Sequence, residues 1–191
     1  MSHASIYLSV LVFLPAVVAL LLALFCPKGA DEACKQFSLV TTLIVLVMSL
    51  LMIFGGAPVQ FAAGTAEMQH LFAWDWIPSF GIQYLLGIDG VSYPLVALTA
   101  LVSALAMAAS WPITKHVKAY CILFLLLETG MLGVFLALDF FLFYVFWEVM
   151  LLPMYFLIGI WGGPRKEYAA IKFFLGADSL LQQRSDETLR R

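Results

Sequence analysis

DFFLFYVFWEVMLLPMYFLIGIWGG, residues 139–163, is the stretch whose reading decides the fold. It is long enough to cross a bilayer as a helix, and it is apolar throughout apart from one acid. That acid, Glu148, lies nine residues after Asp139, about 13 Å along a helix at 1.5 Å per residue. With Asp139 at a membrane surface, Glu148 sits near mid-membrane. A carboxylate at that depth costs roughly 2.5–3.5 kcal/mol on insertion scales, so it calls for a reason.

Working outward, the same kind of segment recurs. Upstream, Ala119 to Leu138 is a fourth apolar helix carrying Glu128, Gly130 and Gly133, and Val91 to Pro112 is a third. In the third, Ser92, Thr99, Ser103 and Ser110 share one face, read as a small-residue packing face, with a polar water path as the sharper alternative. The first helix is Ala4 to Cys26, with Pro15 inside it. It has neither a basic leader before it nor a cleavage pattern after it, so it is expected to stay in the membrane. The second runs from Phe37 to about Ala57. Downstream of Gly163, Tyr168 to Leu175 starts a sixth helix. The expected division is 1–57 for the first two helices, 58–90 for a periplasmic loop and 91–175 for helices three to five with the start of the sixth. A polar tail, 176–191, follows. The loop carries Trp74, Trp76 and a weakly alternating Phe80–Leu85, which suggests a small hairpin resting at the interface.

Composition agrees. Of 191 residues, 63% are hydrophobic and 12% charged, against about 25% charged in soluble domains, so the chain is an all-α integral membrane protein. Cys26, Cys34 and Cys121 form no C-x-x-C pair and the three His no ligand spacing, so no metal or iron–sulfur site is indicated. No nucleotide-binding glycine motif and no basic, aromatic-interleaved patch is present, so neither nucleotide nor nucleic acid is an expected partner; the lipid bilayer is. All ten Lys and Arg fall after helices one, three and five. Five alternating helices put those segments on one side, cytoplasmic by the positive-inside rule, with the N-terminus and Asp139 outside.

Chemistry centres on Glu148. Tyr144 and Tyr155, at i−4 and i+7, share its face, and Pro153 deprives the Val149 carbonyl of its helical donor. An acid, two hydroxyls and a loosened backbone are the ingredients of a proton relay; a helix-packing hydrogen bond is the plainer reading. No Lys or Arg within a span can pair with Glu148. Glu128 is the second buried acid, with relay and packing readings both open. Asp139 reads as a helix N-cap or a proton exit group. Lys172 reads as an interfacial lysine.

FLALDFFLFYVFWEVMLLPMYFLIGIWGG with RKEYAAIKFFL, and LLGIDGVSYPLVALTALV upstream, resembles the antiporter-like subunits of bacterial NADH–quinone oxidoreductase (respiratory complex I), of the subunit M or chain 4 type. The resemblance covers roughly 1–175 and is loose in the first two helices. It implies the first part of a fourteen-helix fold and matches Glu148 to that family's essential buried glutamate, working with a lysine on a seventh helix. It further implies proton translocation coupled to electron transport and other membrane subunits as partners. NADH, flavin, iron–sulfur clusters and quinone would sit in those partners and no cofactor in this chain. From Gly176 onward the sequence departs from the expected apolar continuation, so an incomplete chain is expected. A cation/proton antiporter or membrane-bound hydrogenase subunit, or a non-functional fragment, are the alternatives.

Overall fold

The computed structural model describes residues 3–27, 29–54, 69–77 and 82–176. The expected loop segment 58–68, residues 78–81 and the tail from 177 lie outside the described residues. The elements in order are α1 (His3–Phe25), α2 (Asp31–Phe54), β1 (Gln69–Ile77), β2 (Ile82–Ile88), α3 (Ser92–Ala109), α4 (Val117–Leu136) and α5 (Phe140–Trp161). A further helix, α6, occupies 166–176. The first five helices are long and apolar enough to cross a membrane. This matches the sequence expectation, with one shift. α2 begins at Asp31, well before Phe37, because Asp31 and Glu32 make a favourable first turn at the positive end of the helix dipole.

α4 is the central helix and packs on α1, α2, α3 and α5. It meets α5 through two glycines. A Cβ on Gly130 would stand 2.8 Å from the Met150 Cβ, and one on Gly133 would overlap the Phe146 ring. In lipid there is no hydrophobic drive between helices, so this close backbone approach is what supplies the packing energy. On α3 the buried face is Tyr93, Val96, Ala100, Ser103, Ala104 and Met107. Of the hydroxyl stripe only Ser103 lies on this buried face, and Thr99 and Ser110 return their hydroxyls to the Leu95 and Ala106 carbonyls.

The interior is split along the membrane normal into two apolar clusters. Near the Asp139 end stand Leu8, Leu11 and Val12, Val45 and Met52, Val96 and Ala100, Leu132 and Leu136, with Leu86 and Ile88 of the hairpin. Near the other end stand Ala19 and Leu22, Cys34, Met107, Cys121 and Leu125.

The hairpin pairs antiparallel, Ala73 opposite Leu85 and Ile77 opposite Ile82. It closes the Asp139 end. The far edge of β2 is bonded as well: Leu138 N–H donates to the Leu85 carbonyl at 3.0 Å and Leu86 bridges to Ala137. This stitches the α4–α5 connector to the hairpin and fixes where α5 begins. Trp74 and Trp76 stay 68% and 50% exposed, as an interfacial belt requires.

At the opposite end the lysines close helix C-termini. Lys118 donates to the Ala23 and Cys26 carbonyls at 2.9 and 2.8 Å, Lys35 to Trp111 at 2.8 Å and Lys166 to Ile160 at 3.0 Å. α1, α3 and α5 thus each end on an ammonium group, where the dipole is negative.

Candidate functional site

Glu148 sits halfway up α5, half-buried, on the side of that helix turned away from the glycine contact with α4. Among the described residues no hydrogen bond or ion pair reaches it. Tyr144 and Leu152, on the same face, are 41% and 57% exposed, so the carboxylate looks onto an open side of the bundle. Tyr155, one turn beyond, packs edge-on against Phe156 and against Phe174 of α6, at 5.5 and 5.8 Å between centroids. Helix α5 runs unbroken through Pro153, which is buried, so the Val149 carbonyl is short of its helical donor inside a continuous span. Trp147 stacks on Phe143, and its indole N–H is buried with no partner among the described residues.

Glu128 lies at a similar height, about 12 Å along α4 from Leu136, but on the other side of that helix. It is two residues from Gly130, about 200° round at 100° per residue, and so faces α1, α2 and α3. The side chain is completely buried, and neither carboxyl oxygen has a hydrogen-bond partner among the described residues. Each orphaned buried polar group costs about 1–3 kcal/mol. The two acids are therefore neighbours in height and are separated by the body of α4.

Asp139 takes the cap position. Its Oδ1 accepts from the Phe141 and Leu142 amides at 2.9 and 3.1 Å. Lys172 is exposed on α6, its ammonium 5.9 Å from the Tyr168 ring centroid, and it makes no ion pair with Glu148. The cysteines, isolated in sequence, are gathered at the lysine end. Cys26 and Cys121 both stand close to Cys34, and the Cys26 thiol donates to the Ala30 carbonyl at 3.9 Å. Among the described residues no group of three His, Cys, Asp or Glu is placed to hold a metal. Sequence reading passed over the buried hydroxyls of Ser38, Thr41, Thr42 and Thr129. The available signal was their recurrence at helical spacing inside apolar runs.

Residues 137–179 match the family described as NADH:quinone oxidoreductase/Mrp antiporter, TM. Among curated relatives, the chain is 42% identical to NADH-quinone oxidoreductase subunit M of Rhodobacter capsulatus, over 88% of this chain and 32% of that one. It is 36% identical to NAD(P)H-quinone oxidoreductase chain 4 3 of a Picosynechococcus strain, over 88% and 30%. It spans about a third of the length of the curated relatives it matches. Two solved structures share the fold at a TM-score of 0.69. One is respiratory complex I from Thermus thermophilus with bound NADH, at 24% identity, covering 88% of this chain and 32% of that one. The other is the Mrp complex from a Dietzia species, at 22% identity, covering 88% and 17%. The five apolar spans make this a multi-pass membrane protein, and its fold and matches are similar to those of antiporter-like membrane subunits. Within that class the chain is similar, over most of its length, to one section of subunit M, or chain 4, of NADH–quinone oxidoreductases.

Proposed function

We propose that this chain serves in a proton-pumping NADH–quinone oxidoreductase of a bacterial inner membrane, translocating protons while partner subunits carry out the redox chemistry. The observation that carries the reading is Glu148, an unpaired acid at mid-height of a continuous membrane helix, facing an open side. A cation that moves toward or away from a membrane carboxyl group changes how readily that group gives up its proton. Among the described residues no Lys or Arg pairs with Glu148, so the controlling charge belongs to a neighbouring membrane element. Tyr144, Tyr155 and the under-bonded Val149 carbonyl would hold the water that passes the proton on. Lys172 and Asp139 act as secondary charges at either end, and Glu128 belongs to a different face.

The test is Glu148→Gln in the assembled complex, which keeps size and removes the titrating group. NADH-driven acidification of inverted vesicles, followed by a pH-sensitive dye, is expected to fall to a small fraction of wild type, with assembly on native gels unchanged. Normal acidification removes Glu148 from the path. A second reading, a subunit of a cation/proton antiporter, is supported by the equal TM-score of the Mrp complex. Co-purification without NADH-oxidising subunits selects it.

A further inference from the structure

Between the two apolar clusters every inner helix changes character at the same level. α1 has its buried Pro15 there, between Val12 and Ala19, and the proline leaves the Leu11 carbonyl without its helical donor. α2 has Ser38, Thr41 and Thr42 between Cys34 and Val45, α3 has Ser103 between Ala100 and Met107, and α4 has Glu128 and Thr129 between Leu125 and Leu132. All six polar side chains are at most 4% exposed. The layer is polar, enclosed and at mid-membrane.

Its hydrogen bonding is incomplete in a particular way. Thr41, Thr42 and Thr129 donate their hydroxyls to Phe37, Leu39 and Leu125 carbonyls of their own helices, so their oxygens are left to accept. Ser38 lies beside the Cys121 thiol. The Ser103 Oγ and both oxygens of Glu128 have no partner among the described residues. Apart from the Cys121 thiol beside Ser38, three ionisable side chains of the packed helices are engaged elsewhere. Tyr7 and Tyr93 donate to the Met48 and Ser49 carbonyls near one end, and Lys35 donates to Trp111 at the other. Among the described residues the layer thus offers acceptors and a carboxyl group, and no cation.

We propose that Glu128 is the centre of a second proton-holding site, enclosed by α1 to α4, in which the neutral acid and one or more internal waters complete the bonds of Ser103, the threonine oxygens and the freed Leu11 carbonyl. Buried polar groups in folded proteins are paired, by protein or by ordered water, and an acid among acceptors pairs by keeping its own proton to donate. A water there would need two to four polar partners, and the Ser103 hydroxyl, the threonine oxygens and the Leu11 carbonyl would supply them. The site is separate from Glu148, which lies across α4, and it does not depend on the role proposed for that residue.

Infrared spectroscopy of the full chain in lipid bilayers near neutral pH tests this. The wild type is expected to show the carbonyl stretch of a protonated carboxylic acid, shifted to lower frequency after transfer to D2O because internal water exchanges the proton. The band is expected to disappear in Glu128→Gln and to persist in Glu148→Gln. Absence of the band from the wild type overturns the proposal without any variant having to fold. So does its survival in Glu128→Gln. A band that never exchanges in D2O overturns the hydrated site in favour of a sealed acid. Loss of pumping in Glu148→Gln bears on the other site alone.

Discussion

Asp89 accepts hydrogen bonds from the Val91 and Ser92 amides at the head of α3, and Asp139 accepts them from Phe141 and Leu142 at the head of α5. Each satisfies donors that a helix N-terminus leaves open, in the field of its positive end. The Ser92 N–H first, and its hydroxyl with it, hold the Asp89 carboxyl below its ordinary value of 3.8. The sign follows. A carboxyl depressed in the folded state stabilises that state above the unfolded value, and the contribution is lost as pH falls through the folded one. Amide-exchange protection at Val91 and Ser92 is therefore expected to hold from neutral pH to about pH 5, then to decline below about pH 4. In Asp89→Asn the decline is expected to vanish; a wild-type decline already under way at pH 6 contradicts the cap. The two carboxylates at the heads of helices and the two at mid-membrane differ in what faces them. Asp89 and Asp139 have backbone donors within reach. Glu128 and Glu148 have none among the described residues, which is why only the latter two suggest proton chemistry.

The α4–α5 pair holds the two mid-membrane acids on opposite sides of one helix, and its closeness rests on Gly130 and Gly133. A methyl group on Gly133 overlaps the Phe146 ring and one on Gly130 presses on the Met150 backbone. Gly133→Ala is expected to destabilise the pair by about 1–3 kcal/mol, the usual cost of overpacking, read as a lower midpoint of SDS-induced unfolding in mixed micelles. An unchanged midpoint shows that the helices stand further apart than described. How much of this was legible in sequence follows from the kind of signal each part leaves. The spans were legible because apolar runs of about 20 residues have one reading. Glu148 was legible because it is a lone acid in such a run. The start of α2 was not, because Asp31 and Glu32 look like loop until their helix-end field is counted. Nor was the setting of Glu128. Its sequence neighbours Leu125 and Leu132 show only that α4 is apolar, whereas Ser38, Thr41 and Thr42, 86 or more positions upstream, reach its level only once four helices are packed.

Taken whole, the molecule matches charge to helix ends, acids at starts and lysines at finishes. Acids cap helix starts at the hairpin end, and lysines cap the finishes of α1, α3 and α5 at the other. The same lysines that set orientation by the positive-inside rule thus also satisfy carbonyls that a helix C-terminus leaves unbonded. Orientation and end-capping become one requirement, because inverting the chain would carry Lys35, Lys118 and Lys166 across the membrane along with the helix ends they close. That places Ala73, exposed on β1, and Lys115, exposed before α4, on opposite faces. With an impermeant maleimide on intact spheroplasts, Ala73→Cys is expected to label at once and Lys115→Cys only after the membrane is opened. Cys34 and Cys121 are buried, and Cys26, half-buried at the same lysine end as Lys115, is replaced by serine in both variants to keep the readout clear. Lys115 is a suitable probe, because the part of it that the Trp161 indole bonds is its backbone carbonyl, which a cysteine keeps. Labelling of both positions from the same face makes the number of crossings between them even. It would then break the alternation on which both the common side of the lysines and the outward start of α5 depend.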